Sequence, residues 1–178
     1  VCSSFLADRA SDQGPIFVQR QRHFRPPTEA DRAAIMVGPG TGIAPFRGFL
    51  RDRAAKGHDG KNWVFFGERN SATDFYYRAE LEELRADGVL TNLDTAFSRD
   101  QEHRIYVQDK MAQNGAKLWR WLDEGAHFYV CGDRSRMAKD VESTLLKIAG
   151  EHGGLAPAGA KDWLAELAEA GRYAQDVY

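Results

Sequence analysis

Short apolar runs alternate with longer amphipathic stretches along most of the chain. The short runs, which are typical of buried strands, cover residues 33–37, 62–66, 93–97 and 126–131. The longer stretches carry apolar residues near helical spacing, and they cover residues 44–56, 75–86, 106–113, 116–124, 135–152 and 160–170. Because strand-like and helix-like segments alternate, we expect an α/β domain with a parallel sheet that is covered by helices on both faces.

The segment before residue 28 carries weaker signals. Residues 3–9 are compatible with a short helix and residues 16–19 with a short strand. The Arg-Pro-Pro-Thr sequence at residues 25–28 is typical of a connector, because proline restricts its own backbone and that of the residue before it. We therefore place a domain boundary here, with residues 1–27 as the end of a preceding domain and residues 28–178 as the α/β domain.

A glycine-rich loop follows the first apolar run. Gly38, Gly40 and Gly42 alternate with other residues, and Pro45 lies near the start of the helix-like stretch. Glycine lets the backbone approach a phosphate closely, and the free N–H groups at a helix start attract anions. Pro45 suits the first helical turn, where its missing N–H costs nothing. The pattern favours a nucleotide-phosphate site, although a tight strand-to-helix turn without a ligand would have the same pattern.

Ligands of parallel α/β sheets bind beyond the carboxyl ends of the strands. That rule selects the loops at residues 38–42, 67–73, 98–103 and 132–136. We therefore expect the chemistry of this chain to be concentrated in these loops and in the residues just after them.

The third of these loops begins a segment that is rich in phosphate-binding side chains. Ser98, Arg99 and Arg104 offer one hydroxyl and two guanidinium groups, and Gln108 adds an amide. Guanidinium forks suit a phosphate monoester, and the ring of Tyr106 can stack on a purine. This chemistry fits the 2′-phosphate and adenine of NADP. An exposed loop with ordinary surface charges is the alternative.

Two further positions have a plain and a functional interpretation. Cys131 follows the fourth apolar run, where a cysteine is most often a small buried hydrophobic residue. Its functional alternative is a polarizable neighbour of a nicotinamide ring. The chain ends at Tyr178, and a terminal aromatic residue is either part of a frayed tail or a planar lid over a flat cofactor. Composition does not decide between these two.

Composition and charge narrow the function classes. The formal net charge of -2 gives no cationic field for nucleic acid. Only two cysteines are present, so we expect no disulfide framework and a cytoplasmic location. The five scattered histidines do not form a metal-ligand pattern, and no apolar run approaches the length of a membrane span. Because the chain begins at Val1 without an initiator methionine, we expect a fragment of a longer protein.

Several motifs occur together and in order, and as a set they carry a family resemblance. They lie at residues 38–46, 98–99, 104–108, 129–133, 137–141 and 172–178. With these motifs the chain resembles the C-terminal part of the diflavin reductases, a family that includes cytochrome P450 reductase and the reductase half of nitric oxide synthase. The resemblance implies a Rossmann-like NADP-binding domain of the ferredoxin-NADP reductase type, preceded by a remnant of an FAD-binding domain.

Within that family the chain looks most like the flavoproteins of NADPH sulfite reductase. The reasons are residues 60–67, residues 118–121 and the ending Asp-Val-Tyr. The resemblance implies that NADPH passes hydride to FAD, and that electrons then pass through FMN to the sulfite reductase hemoprotein (beta) subunit. A diflavin reductase that serves a P450 or a nitrate-reducing partner is one alternative, and a non-catalytic nucleotide-binding or docking module is another.

The resemblance also implies roles for individual residues. By this resemblance, the FAD pyrophosphate is contacted by Val1, Cys2 and Ser3. The NADP pyrophosphate is contacted by Gly40, Thr41 and Gly42. The residues that match contacts to the 2′-phosphate and adenosine are Ser98, Arg99, Arg104, Ile105, Tyr106, Val107 and Gln108, and Asp140 matches a further NADP contact. Cys131 and Asp176 match residues that assist hydride transfer, and Tyr178 matches the aromatic residue that stacks on FAD.

The resemblance places other parts of the machinery outside this chain. The FAD-binding barrel and the FMN-binding flavodoxin-like domain of the family have no counterpart in these residues. They are the expected partners within the whole protein, and the FMN domain is the expected link to the hemoprotein. We therefore expect this chain by itself to hold FAD poorly and to catalyse little.

Overall fold

The computed structural model describes residues 23–178, which form a single five-stranded sheet with helices packed against it. The strands are β1 (Ala34–Val37), β2 (Asn62–Glu68), β3 (Asn92–Phe97), β4 (His127–Gly132) and β5 (Tyr173–Val177). The helices are α1 (Ala44–Ala55), α2 (Arg78–Ala86), α3 (Val107–Gln113), α4 (Gly115–Asp123), α5 (Met137–Gly153) and α6 (Pro157–Glu169). A 3₁₀ turn, Gly40–Ile43, joins β1 to α1.

The strand order is β3-β2-β1-β4-β5, and every neighbouring pair runs parallel. The first described strand, β1, therefore lies in the middle of the sheet. Strands β2 and β3 follow on one side of it, and the chain then crosses to the other side, where β4 and β5 lie. This reversal of direction lies between β1 and β4, and it is where open α/β sheets leave a crevice for ligands.

Two apolar clusters cover the two faces of the sheet. Alternate strand residues point to opposite faces, so Ile35 and Val37 join one cluster while Ala34 and Met36 join the other. Helices α3, α4, α5 and α6 contribute to the first cluster, and helices α1 and α2 contribute to the second. Strands β1, β2 and β4 are buried on both sides, which explains their nearly continuous apolar sequences.

The predicted fold class is confirmed, and the four predicted strands are present within one or two residues of their predicted ends. The predicted helix at residues 75–86 is wrong at its start, because the helix begins at Arg78. Tyr77 adopts a left-handed backbone with φ of 59°, and Phe75 leaves the helical path to stack on Phe66. Residues 75–77 therefore form an irregular segment in front of the helix.

Strand β5 is the main element that the sequence pattern did not predict. Residues 173–177 pair with β4 along their whole length, with Phe128 opposite Tyr173 and Cys131 opposite Asp176. The proposed remnant at residues 1–27 overlaps the described residues only slightly. Phe24 is buried there against Phe49 and Tyr129. The predicted short helix at 3–9 and strand at 16–19 lie outside the described residues.

None of the helices within residues 23–178 combines the length and the apolar character needed to cross a membrane.

Candidate functional site

A cleft of about 400 Å³ opens at the carboxyl ends of the strands. It gathers eight of the residues that the sequence singled out, namely Gly40, Ser98, Arg99, Arg104, Tyr106, Val107, Gln108 and Asp140. The lining also includes residues that follow β2 and β4, so all four strand-end loops meet at this edge. The loops were selected one by one from the sequence, and the parallel topology brings them to one place.

The glycine loop lies at the centre of this edge and is held by close backbone packing. A Cβ atom at Gly42 would lie 2.1 Å from the carbonyl oxygen of Cys131, and one at Gly38 would lie 2.5 Å from the carbonyl oxygen of Gly42. Gly40 has a positive φ of 58°. The loop N–H of Gly42 donates to the Pro39 carbonyl at 3.1 Å. Only residues without a side chain allow this tight turn between β1 and α1.

The arginine-rich end of the cleft is an extension of the β2–β3 ladder. The N–H of Ser98 donates to the Glu68 carbonyl, and the N–H of Arg99 donates to the Arg69 carbonyl, both at 2.8 Å. The backbone is therefore fixed while the side chain of Arg99 stays exposed. The guanidinium groups of Arg99 and Arg104 take part in none of the ion pairs found within residues 23–178. They are available to an anionic ligand.

Helix α3 begins beside these arginines and closes one side of the cleft. The N–H of Tyr106 donates to the Asp109 carboxylate at 2.7 Å, which fixes the start of the helix. Val107 fits against Gly67, where an added Cβ would lie 2.9 Å from the Val107 side chain. Tyr106 is 41% exposed and lines the cleft. Ile105 is half-buried and does not line the cleft.

The proposed hydride-transfer residues lie one loop away, at the end of β4 and β5. Cys131 is 3% exposed and faces Asp176 in the parallel register. Burial, together with the negative charge of Asp176, raises the pKa of Cys131 to about 11. The thiol is therefore neutral at physiological pH, which suits a polarizable neighbour for a flat ring better than a nucleophile.

The C-terminal residue is anchored to the same edge of the sheet. The N–H of Tyr178 donates to the Gly132 carbonyl, and its own carbonyl accepts from the N–H of Arg134, both at 3.1 Å. The phenol oxygen lies 2.6 Å from the hydroxyl of Thr41, so the two share a hydrogen bond. The ring is nevertheless 70% exposed. The terminal segment is thus a paired strand followed by an exposed ring next to the glycine loop.

Several residues for which the sequence predicts a role do not line the cleft. Thr41, Gly42, Cys131, Asp176 and Tyr178 border the neighbouring β4–β5 end rather than the cleft itself. Val1, Cys2 and Ser3 lie outside the described residues.

The cleft also contains residues to which the sequence interpretation gave no role, namely Glu68, Arg69, Asp133, Arg136 and Met137. Four of their positions, 68, 69, 133 and 136, lie in the loops that the strand-end rule selects. The family motifs at residues 129–133 and 137–141 include Asp133 and Met137, but the resemblance implied no role for them.

The fold and this edge define a class of protein. Residues 36–143 match the family of oxidoreductase NAD-binding domains, and the chain belongs to that family. Its geometry suits such a domain, because a glycine turn lies at the centre of the sheet and arginines outside the ion pairs of the described residues line the cleft.

The chain is 52% identical over 178 residues to the sulfite reductase [NADPH] flavoprotein alpha-component of Serratia proteamaculans. It is 51% identical to the proteins of the same name from Klebsiella pneumoniae and Escherichia coli. Each match covers 99% of this chain and 30% of the relative. The chain therefore spans about 30% of the length of these curated relatives.

Proposed function

We propose that this chain is the NADPH-binding part of a sulfite reductase flavoprotein. The observation that carries the proposal is the cleft, in which unpaired Arg99 and Arg104 lie at one end and the glycine turn around Gly40 at the other. Relatives at 51–52% identity bear the name of that flavoprotein and extend over far more chain than the present 178 residues. Bound NADPH would supply the hydride, and the residues described above would bind and orient it.

The arginine-rich end is the proposed site of the 2′-phosphate. Arg99 and Arg104 would form charge-assisted hydrogen bonds with the monoester, and Ser98 and Gln108 would add neutral donors. The exposed ring of Tyr106 would lie along the adenosine. Asp140 starts the neighbouring helix and would face the same half of the ligand as a hydrogen-bond acceptor for hydroxyl groups.

The β4–β5 end is the proposed nicotinamide site. The neutral thiol of Cys131 and the carboxylate of Asp176 would flank the reacting ring, and the carboxylate would favour positive charge there. Tyr178 would cover the flavin when no nicotinamide is present. Its hydrogen bond with Thr41 supports this role, because it holds the ring beside the loop proposed for the diphosphate.

The role of the whole protein is proposed from the family resemblance, and it is supported by relatives that are named as flavoproteins and are longer than this chain. In the whole protein, hydride would pass to FAD, and electrons would pass through FMN to the hemoprotein beta subunit. The FAD and FMN domains would be supplied by chain beyond these 178 residues, with residues 1–27 completing the FAD domain and residues 28–178 forming the NADP domain. Val1, Cys2 and Ser3 would contact FAD in that arrangement, and the reaction would take place in the cytoplasm.

The proposal is tested by calorimetric titration with 2′,5′-ADP and 5′-AMP. These ligands differ only in the 2′-phosphate, so we expect clear binding of the first and at least about tenfold weaker binding of the second. Arg99→Ala should remove most of this difference, because the charge-assisted hydrogen bonds are lost. Arg85→Ala, an exposed arginine on α2, is the matched control and should change neither affinity.

Equal affinity of the wild-type chain for the two ligands would contradict an NADP site and would indicate a generic adenosine site. Retention of the full difference in Arg99→Ala would remove that residue from the phosphate site. Both results can be read from binding alone, so they do not depend on flavin content.

A further inference from the structure

Arg136 brings a further guanidinium group to the cleft from the side opposite Arg99 and Arg104. It lies in the loop between β4 and α5 and lines the cleft. Its side chain is exposed and takes part in none of the ion pairs or side-chain hydrogen bonds found within the described part of the chain. An arginine in this state is fully charged and free to bind an anion.

The backbone that carries Arg136 is fixed by a neighbouring carboxylate. Asp133 accepts hydrogen bonds from the N–H of Arg136 at 2.8 Å and from the hydroxyl of Ser135 at 2.9 Å, with a longer one from the N–H of Met137. These hydrogen bonds hold the pKa of Asp133 below its usual value. The Asp133 carboxylate is thus hydrogen-bonded to groups of its own loop and does not pair with the guanidinium of Arg136. That guanidinium can therefore bind a ligand.

The strand order decides which part of a dinucleotide Arg136 can reach. Strand β4 is the direct neighbour of β1, and a Cβ at Gly132 would lie only 3.7 Å from the Pro39 carbonyl oxygen of the glycine turn. Strand β3, which leads into Ser98 and Arg99, is three strands away, or about 14 Å at the usual strand spacing. Arg136 therefore lies in the loop that follows the direct neighbour of β1, whereas Ser98 and Arg99 follow a strand three positions away.

We propose that Arg136 binds the diphosphate of the dinucleotide. This inference rests on the proposed function and adds a residue to it. The glycine turn offers backbone N–H groups but no full charge. Arg99 and Arg104 follow β3, two strands away from β1, and Arg69 follows β2, so Arg136 is the cleft arginine on the β4 side of the turn. Arg136 supplies the cation where the two diphosphate charges lie, and it does so for NADP and NAD alike.

The test uses ADP-ribose and 2′-phospho-ADP-ribose as calorimetric ligands. Both contain the diphosphate, only the second contains the 2′-phosphate, and neither has a nicotinamide that must compete with Tyr178. We expect Arg136→Ala to lower the affinity for both ligands by the same factor, about tenfold, because one charge-assisted hydrogen bond is lost. Arg136→Lys should recover part of this loss, because it keeps the charge but not the fork.

Two comparisons make the test specific. Arg99→Ala should weaken only 2′-phospho-ADP-ribose, so the two variants should separate the two phosphate positions. Arg134→Ala is the matched control, since this exposed arginine is two residues away in the same loop and does not line the cleft. We expect it to bind both ligands as the wild type does.

Two outcomes would overturn the inference while the proposed function stands. One is an Arg136→Ala variant that binds both ligands as tightly as Arg134→Ala, and the other is a loss confined to 2′-phospho-ADP-ribose. If instead the wild-type chain shows no preference for the ligand with the 2′-phosphate, the proposed NADP site fails. Equal weakening of the binding of both ligands by Arg136→Ala would still support the diphosphate contact in that case, because NADP and NAD share the diphosphate.

Discussion

At the residue scale, the site depends on positions where a side chain would not fit. Gly42 touches the carbonyl group of Cys131, and this contact brings the glycine turn and the end of β4 together. The contact joins the proposed diphosphate position to the proposed nicotinamide position. Because both partners are backbone atoms in buried segments, neither can rotate away as a flexible side chain would.

We expect Gly42→Ala to lower the free energy of unfolding by about 3 kcal/mol, since the new methyl group would overlap a backbone carbonyl. Gly48→Ala is the matched control, because Gly48 lies inside α1 with no atom within 4 Å of an added Cβ. That variant should gain about 0.5–1 kcal/mol from helix propensity. Urea unfolding of both variants measures the difference, and a Gly42→Ala protein as stable as Gly48→Ala would refute the argument.

At the element scale, helix α1 runs from the carboxyl ends of the strands back to their amino ends. Its first turn contains Pro45 and follows the glycine turn, and its last turn contains Arg53, which is fully buried. Arg53 donates to the carbonyl groups of Arg32 at 2.6 Å and Gly60 at 3.0 Å, which precede β1 and β2. The helix is thus fixed at the amino ends of the strands, while its start forms the ligand edge at the carboxyl ends.

Arg53→Ala should lower the free energy of unfolding by about 1–3 kcal/mol, because the Arg32 carbonyl loses its side-chain donor while the Gly60 carbonyl keeps the Asn62 amide. The affinity of the folded variant for 2′,5′-ADP should stay unchanged, since Arg53 lies at the opposite end of the strands from the cleft. Urea unfolding and calorimetry measure the two effects. The exposed Arg85→Ala variant provides the reference, and a variant of Arg53 that is no less stable than this reference would show that the buried guanidinium contributes nothing.

At the scale of the whole molecule, β5 carries the C-terminus to the ligand edge. Its pairing with β4 places Asp176 opposite Cys131 and leaves Tyr178 beside Thr41. Residues that are 137 positions apart in the sequence thereby share one hydrogen bond. The proposed flavin lid is therefore held by the sheet and by the glycine turn together.

In the full-length flavoprotein, Tyr178→Ala should reduce the preference for NADPH over NADH in kcat/KM by about tenfold, a value in the range of one lost aromatic stacking contact. In the proposed arrangement, NADPH would be held by its 2′-phosphate while the Tyr178 ring moves aside, whereas NADH would dissociate first. Tyr178→Phe keeps the flat ring and loses only the hydrogen bond with Thr41, so it should keep the preference. Steady-state kinetics with both dinucleotides measure it, and an unchanged ratio in Tyr178→Ala would refute the lid.

Much of the fold follows from local pattern, because buried parallel strands have apolar runs and their helices have amphipathic periodicity. The start of α2 was misplaced for a physical reason. Phe75, which precedes the helix, packs against Phe66 and Phe97 and does not form part of a helical face. Strand β5 was missed because an edge strand with Gln175 and Asp176 has no apolar run, and its pairing comes from the main chain.

The sequence by itself determined the alternation of strands and helices, the glycine turn and the arginine-rich segment, because each depends only on residues that are close together in the sequence. The tertiary structure decided which distant residues share the site. It paired β5 with β4, brought Tyr178 to Thr41, and placed Arg136 in the same cleft as Gly40. These placements depend on strand order, which arises from packing of the whole sheet and not from any local pattern of residues.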